Sequence, residues 1–118
     1  VRPTTVDPAT GAVAPFLSAG AHFNPAATTH RDHAGDLPPL LVIQSGTATA
    51  ATETDRFALA SLFDADGSAI IVHAGPDNLA NIPTRYVSST TGLPGPDAAT
   101  LGTGDSGGRT GCGVIRRQ

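Results

Sequence analysis

Three of the four histidines in this chain fall in one short stretch, Gly20-Ala-His-Phe-Asn-Pro-Ala-Ala-Thr-Thr-His-Arg-Asp-His-Ala-Gly-Asp-Leu37, which also carries Asp36. His22, His30, His33 and Asp36 together offer three nitrogens and one oxygen. That donor set suits tetrahedral Zn²⁺, at about 2.0–2.2 Å from each ligand. The remaining histidine, His73, ends the apolar run Ser68-Ala-Ile-Ile-Val-His73. From residue types alone, the competing reading is a loop of solvated histidines, with His73 a strand-end histidine satisfied by a backbone carbonyl. The concentration of imidazoles favours a metal protein.

Two other segments invite chemistry and do not sustain it. Asp64-Ala-Asp-Gly67 starts like a calcium loop, but its glycine comes too early and no acidic residue closes it, so a turn is expected. Thr103-Gly-Asp-Ser-Gly-Gly108 mimics the nucleophile segment of trypsin-like proteases. That mechanism needs a histidine base and a buried aspartate, and no histidine follows the serine.

The elements that must hold these residues are short. With 118 residues, the chain is enough for one domain. Fourteen glycines and ten prolines favour turns and strands over helices. Residues 1–15 read as a lead-in loop. Leu40-Leu-Val-Ile43 and Thr47–Thr54 read as two strands of a hairpin turning at Ser45-Gly46. Arg56–Phe63 reads as extended chain passing into a short turn. Ser68–His73 is the clearest strand, and Arg109–Ile115 is the last. Between them, residues 74–108 form a long irregular loop, a length that usually signals function or disorder. Short antiparallel strands joined by long loops are a β-sandwich pattern.

Several function classes are disfavoured. A net charge of −3 and the complete lack of lysine speak against a nucleic-acid surface. No apolar run approaches the ~20 residues of a membrane span. Cys112 is the single cysteine; counting alone leaves it either a buried thiol or half of a disulfide with a partner elsewhere.

Taken in order, Gly20-Ala-His-Phe-Asn-Pro25, His33-Ala-Gly-Asp-Leu37, Ile71-Val-His73 with Asp77-Asn-Leu79, and Gly107-Gly-Arg-Thr-Gly-Cys-Gly-Val-Ile115 resemble the copper/zinc superoxide dismutases. The segment containing Asn81-Ile-Pro-Thr-Arg-Tyr86 resembles the bacterial, exported branch. The resemblance covers roughly residues 16–115. It implies an all-β Greek-key barrel, with a zinc-binding loop over residues 19–38 and an active-site loop over residues 74–108 folded over the metals. It also implies a role for each candidate. His22 would bridge copper and zinc, and His30, His33 and Asp36 would complete the zinc site. His73 would bind copper, and Asp77 would tether a zinc histidine to a copper histidine. Arg109 would attract the superoxide anion, and Cys112 would be one half of an intrachain disulfide.

Two departures qualify that picture. Only Arg31 and Asp32 separate His30 from His33, a shorter interval than is usual in the family. The family's other two copper ligands lie in an upstream His-x-His motif, and neither that motif nor the disulfide's partner cysteine is in this sequence. The expectation is therefore the C-terminal part of a longer, exported dismutase (periplasm, cell envelope or extracellular space), an antioxidant enzyme that uses Cu and Zn. It would need the upstream segment or a partner chain, and a homodimer is compatible with it. The alternative is a dismutase-like module that binds zinc, with or without copper, and has no turnover.

Overall fold

A computed structural model describes residues 3–7 and 10–118; the lead-in expected over 1–15 lies partly outside that range. The central element is a two-stranded antiparallel sheet of β1, Ala69–His73, and β2, Arg109–Val114. Ile70, Ile71 and Val72 are β-branched residues that fit a pleated surface. The register pairs Ala69 with Val114, Ile71 with Cys112 and Val72 with Gly111. It then breaks, so that His73 faces Arg109 and Thr110 is left as the extra residue. The Thr110 hydroxyl donates to the Val72 carbonyl at 3.1 Å. Such a bulge re-aims the side chains beyond it, here His73 and Arg109.

The loop from residue 74 to 108 is mostly irregular, as its glycines and prolines imply, but it contains a helix that the sequence reading did not foresee. This is α1, Ala98–Thr103. Asp97 caps it by accepting from the amides of Ala99 and Thr100, both at 3.1 Å. The Ser88 hydroxyl, together with those amides, holds the Asp97 carboxyl below its ordinary pKa. Gly104 ends the helix in the left-handed region at φ 59°, the usual C-terminal stop.

The expected hairpin over residues 40–54 is only half realised. Its turn forms, with Ile43 N donating to Thr47 O at 3.0 Å and Gly46 N to Ile43 O at 2.9 Å. The flanking runs are not strands. Leu41 is 90% exposed and Ile43 64%. A hairpin gains little unless one face is covered, and nothing among the described residues covers this one. Within Arg56–Phe63, the expected turn is a 3₁₀ helix at Leu59–Leu62. Asp64–Gly67 is a turn closed by Gly67 N on the Asp64 carboxylate at 2.9 Å. A second 3₁₀ turn, Leu17–Ala19, leads into the histidine segment.

The sheet is not closed, and the apolar core is slight. Among the described residues, Ala34 and Leu62 are the buried hydrophobic side chains. The accessible surface is 8561 Å², whereas a compact chain of 11.8 kDa presents about 5,900 Å². The best-buried side chains are polar: His30, His33, Thr100 and Ser106. The fold encloses a polar site before it encloses a core.

Candidate metal centre

Residues 20–37 form an irregular loop folded back on itself by specific hydrogen bonds. Gly35 N donates to Phe23 O at 2.8 Å, and His30 N donates to Leu101 O of α1 at 2.9 Å. Asn24 bonds Thr28 through both ends of its amide, at 2.8 and 3.0 Å. Thr28 in turn donates from its hydroxyl to Asp32 O at 2.8 Å. The short His30–His33 interval is spanned by a turn with Arg31 in the left-handed region at φ 45°. Both imidazoles thereby point inward and are buried.

One donor atom from each of His22, His30, His33 and Asp36 lies within 4.8 Å of all the others. The contacts within this cluster are close. His22 Nδ1 is 2.6 Å from Asp36 Oδ1, and His33 Nδ1 is 3.2 Å from the same oxygen. His33 Nδ1 and His22 Nδ1 are 3.4 Å apart. Asp36 Oδ2 accepts from His33 N at 3.1 Å.

His30 gives the sharpest test of what this cluster accommodates. Its Nε2 sits 2.9 Å from both carboxylate oxygens of Asp77, an acceptor-only partner, so Nε2 carries the proton of the neutral ring. Nδ1 is then a bare lone pair. It is buried with no hydrogen-bond partner, although Asp36 Oδ2 is 3.1 Å away. Two lone pairs facing one another in a buried site call for a cation between them. The donor set fits zinc, and the Asp77–His30 pair is the carboxylate–histidine arrangement that orients a ligating imidazole.

Asp77 is itself held firmly. Its Oδ1 accepts from Leu79 N at 2.6 Å, in a turn where Leu79 and Ala80 are both left-handed. Gly104 closes over the pair from the end of α1. A Cβ there would overlap the Asp77 carboxylate and come within 2.7 Å of His30 Nε2. Asn78 N donates to Gly104 O at 2.9 Å, and Asn78 Nδ2 reaches Asp105 at 2.6 Å. Neither α1 nor Gly104 was singled out from the sequence. The available signal was Asp97 before Ala98-Ala-Thr-Leu101, with a glycine just past the end.

His22 has all three other imidazoles around it. Its ring centroid is 5.3 Å from that of His33, 5.7 Å from that of His30 and 5.6 Å from that of His73. Burial lowers the His22 pKa, outweighing the raising effect of Asp36, so the neutral form is favoured. The His73 Nδ1 proton is donated to Gly107 O at 3.0 Å, which leaves its Nε2 lone pair available as a ligand. Arg109 donates through Nη1 to Phe16 O at 2.8 Å and through Nη2 to Gly20 O. No carboxylate among the described residues pairs with it. Cys112 is a half-buried free thiol on β2.

The sequence model for copper/zinc superoxide dismutase matches residues 8–115. The chain belongs to the copper/zinc superoxide dismutase family. It is therefore of the all-β Greek-key class, and β1 and β2 are antiparallel strands of that kind. The copper–zinc superoxide dismutase of Mycolicibacterium paratuberculosis is 47% identical over 114 residues, covering 97% of this chain and 50% of that protein. The Mycobacterium tuberculosis enzyme is 46% identical over the same share of this chain and 48% of its own length. The Caulobacter vibrioides enzyme is 35% identical over 86% of this chain. The chain spans about half the length of the curated relatives it matches best. No helix among the described residues is long and apolar enough to cross a membrane.

Proposed function

We propose that this chain is the metal-loop-bearing part of an exported copper/zinc superoxide dismutase, which converts superoxide to oxygen and hydrogen peroxide. The observation that carries the proposal is the position of His22, its Nδ1 inside the buried donor cluster and its ring beside His73. A histidine flanked in this way is suited to bridge two metals. His22, His30, His33 and Asp36 would hold zinc, and His22 and His73 would supply two of the four histidines that copper takes in the family. Copper bound there would supply the one-electron redox chemistry that the dismutation requires.

Each remaining residue has a task that its contacts support. Asp77 orients the His30 ring through the Nε2 proton. His73 is kept in one tautomer by Gly107. Arg109 is held by the Phe16 and Gly20 carbonyls as a fixed cation that steers a small anion in an otherwise acidic protein. Such steering weakens as salt rises.

The remaining copper ligands, the partner of Cys112 in a disulfide and the strands that close the barrel would come from an upstream segment or a partner chain. The exposed apolar side chains of Leu40–Ile43, Ile70 and Val72 are consistent with such a covering layer. Export to the periplasm, cell envelope or extracellular space agrees with a disulfide, and a homodimer is compatible with the whole.

The test is superoxide consumption by the full-length protein loaded with copper and zinc. Arg109→Ala should lower the rate about tenfold and flatten its salt dependence. An unchanged rate and salt response would remove Arg109 from the mechanism. A second reading is a metal-binding module without turnover, for which the cluster of His22, His30, His33 and Asp36 would suffice. Stoichiometric metal uptake by the full-length protein with no dismutation would establish it.

A further inference from the structure

The segment before β1 reaches back to the histidine loop at two points. Arg56 Nη1 donates to Arg31 O at 2.9 Å and to His33 O at 3.1 Å. Next to it, the Phe57 ring packs edge-on against Phe23, with centroids 5.8 Å apart and planes at 85°. Phe23 adjoins His22. Residues 56 and 57 thus touch the loop beside its first histidine and across its last one.

The carbonyls that Arg56 caps belong to the tightest part of the loop. Arg31 is in the left-handed region, and only Arg31 and Asp32 lie between two inward-facing imidazoles. No regular element supplies donors to this turn. The Asp32 carbonyl is served by Thr28 and that of His33 by Asp36 N at 3.1 Å, both from within the loop; Arg56 adds one nitrogen from outside that Arg31 O and His33 O share. A single donor shared by two carbonyls fixes the distance between them. It thereby ties the residue just after His30 to His33, and the two imidazole centroids are 5.6 Å apart.

We propose that Arg56 is a positioning residue for the metal site, pinning the short His30–His33 turn in its ligating form while Phe57 holds the His22 end. The inference rests on the zinc reading above. Arg56 is exposed and touches none of the donor atoms, so its removal loosens the turn without deleting a ligand. A lysine at the same position keeps an N–H donor able to serve both carbonyls.

The experiment compares the full-length protein with its Arg56→Met and Arg56→Lys variants. Three quantities are measured: Zn²⁺ affinity against a chelator, the visible spectrum of Co²⁺ in the same site, and the thermal transition of the metal-free protein. Arg56→Met is expected to weaken Zn²⁺ binding about tenfold, as loss of an outer-sphere support does, and to diminish the tetrahedral Co²⁺ bands. Arg56→Lys is expected to restore most of both, with the metal-free transition unchanged across all three proteins. Equal affinity and identical Co²⁺ spectra in the Met variant would overturn the proposal. So would a metal-free transition lowered equally in both variants with no rescue by lysine, because that marks a general structural role. Absence of a tetrahedral Co²⁺ spectrum in the unsubstituted protein would overturn the zinc reading and this inference with it.

Discussion

Only six residues, 34–39, separate the histidine turn from the run Leu40–Ile43, yet the two lie at opposite extremes of burial. His30 and His33 are polar and buried, while Leu41, Val42 and Ile43 are aliphatic and open to solvent. The hydrophobic effect alone predicts the reverse. What separates them is the source of their partners. The polar turn finds Asp36, Asp77, Arg56 and α1 within this chain. The aliphatic run needs a second layer that these residues do not supply. Local hydrogen bonding can assemble a site whose surrounding core is still open.

Four substitutions or conditions break or sharpen that contrast. The largest effect is expected from His30→Ala, which removes the buried lone pair and takes the imidazole away from Asp77, leaving it only the Leu79 amide. Zn²⁺ affinity in the full-length protein should fall at least about a hundredfold, beyond the usual cost of losing an outer-sphere support. Titration against a chelator measures it, and an affinity within a few-fold of the original would remove His30 from the site. Gly104→Ala comes next. Its Cβ would strike the Asp77 carboxylate from a left-handed backbone, a conformation that costs of order 1–3 kcal/mol when forced. Chemical denaturation should show that loss, together with weaker metal binding.

Leu41→Asp probes the other region. In the isolated chain, where Leu41 is exposed, stability should change by less than about 0.5 kcal/mol. In the full-length protein, the same change should cost about 2 kcal/mol or more, because it would bury an unpaired carboxylate. Equal effects in both contexts would mean that nothing covers this run. The mildest effect concerns pH. Burial holds the folded-state pKa of His22 below 6.5. The unfolded chain therefore takes up a proton first as pH falls through that value, and metal-free stability declines from there toward the lowered pKa. Metal binding requires His22 to be neutral, so protonation of His22 should weaken the Co²⁺ spectrum only below about pH 6.5. Loss of the bands already above pH 7 would contradict a depressed His22.

Much of the site was legible because its residue types are scarce. Three histidines and an aspartate in one loop are a conspicuous use of costly side chains, and His73, at the end of an apolar run, proves to lie with its ring centroid 5.6 Å from that of His22. The supports were harder to see. Arg56 reads as an ordinary surface charge, and Gly104 is one glycine among fourteen. Their importance lies in contacts between segments far apart in the chain. α1 was missed because a six-residue helix in a glycine- and proline-rich loop shows too little periodicity. The hairpin over residues 40–54 was anticipated from alternation and a good turn, but alternation predicts a strand only where something packs on one face.

By itself, then, the sequence determined the family motifs, the cluster of candidate donors and the two strands, because β-branched runs and clustered imidazoles carry their meaning locally. Tertiary structure alone decided which histidine nitrogen is left bare. That choice follows from Asp77 accepting a hydrogen bond from Nε2–H of His30, a pairing between residues that only folding brings together. It also decided that Arg109 is held by backbone carbonyls and that Arg56 spans the metal turn. A carbonyl's direction is a property of the folded backbone, and no residue type announces it.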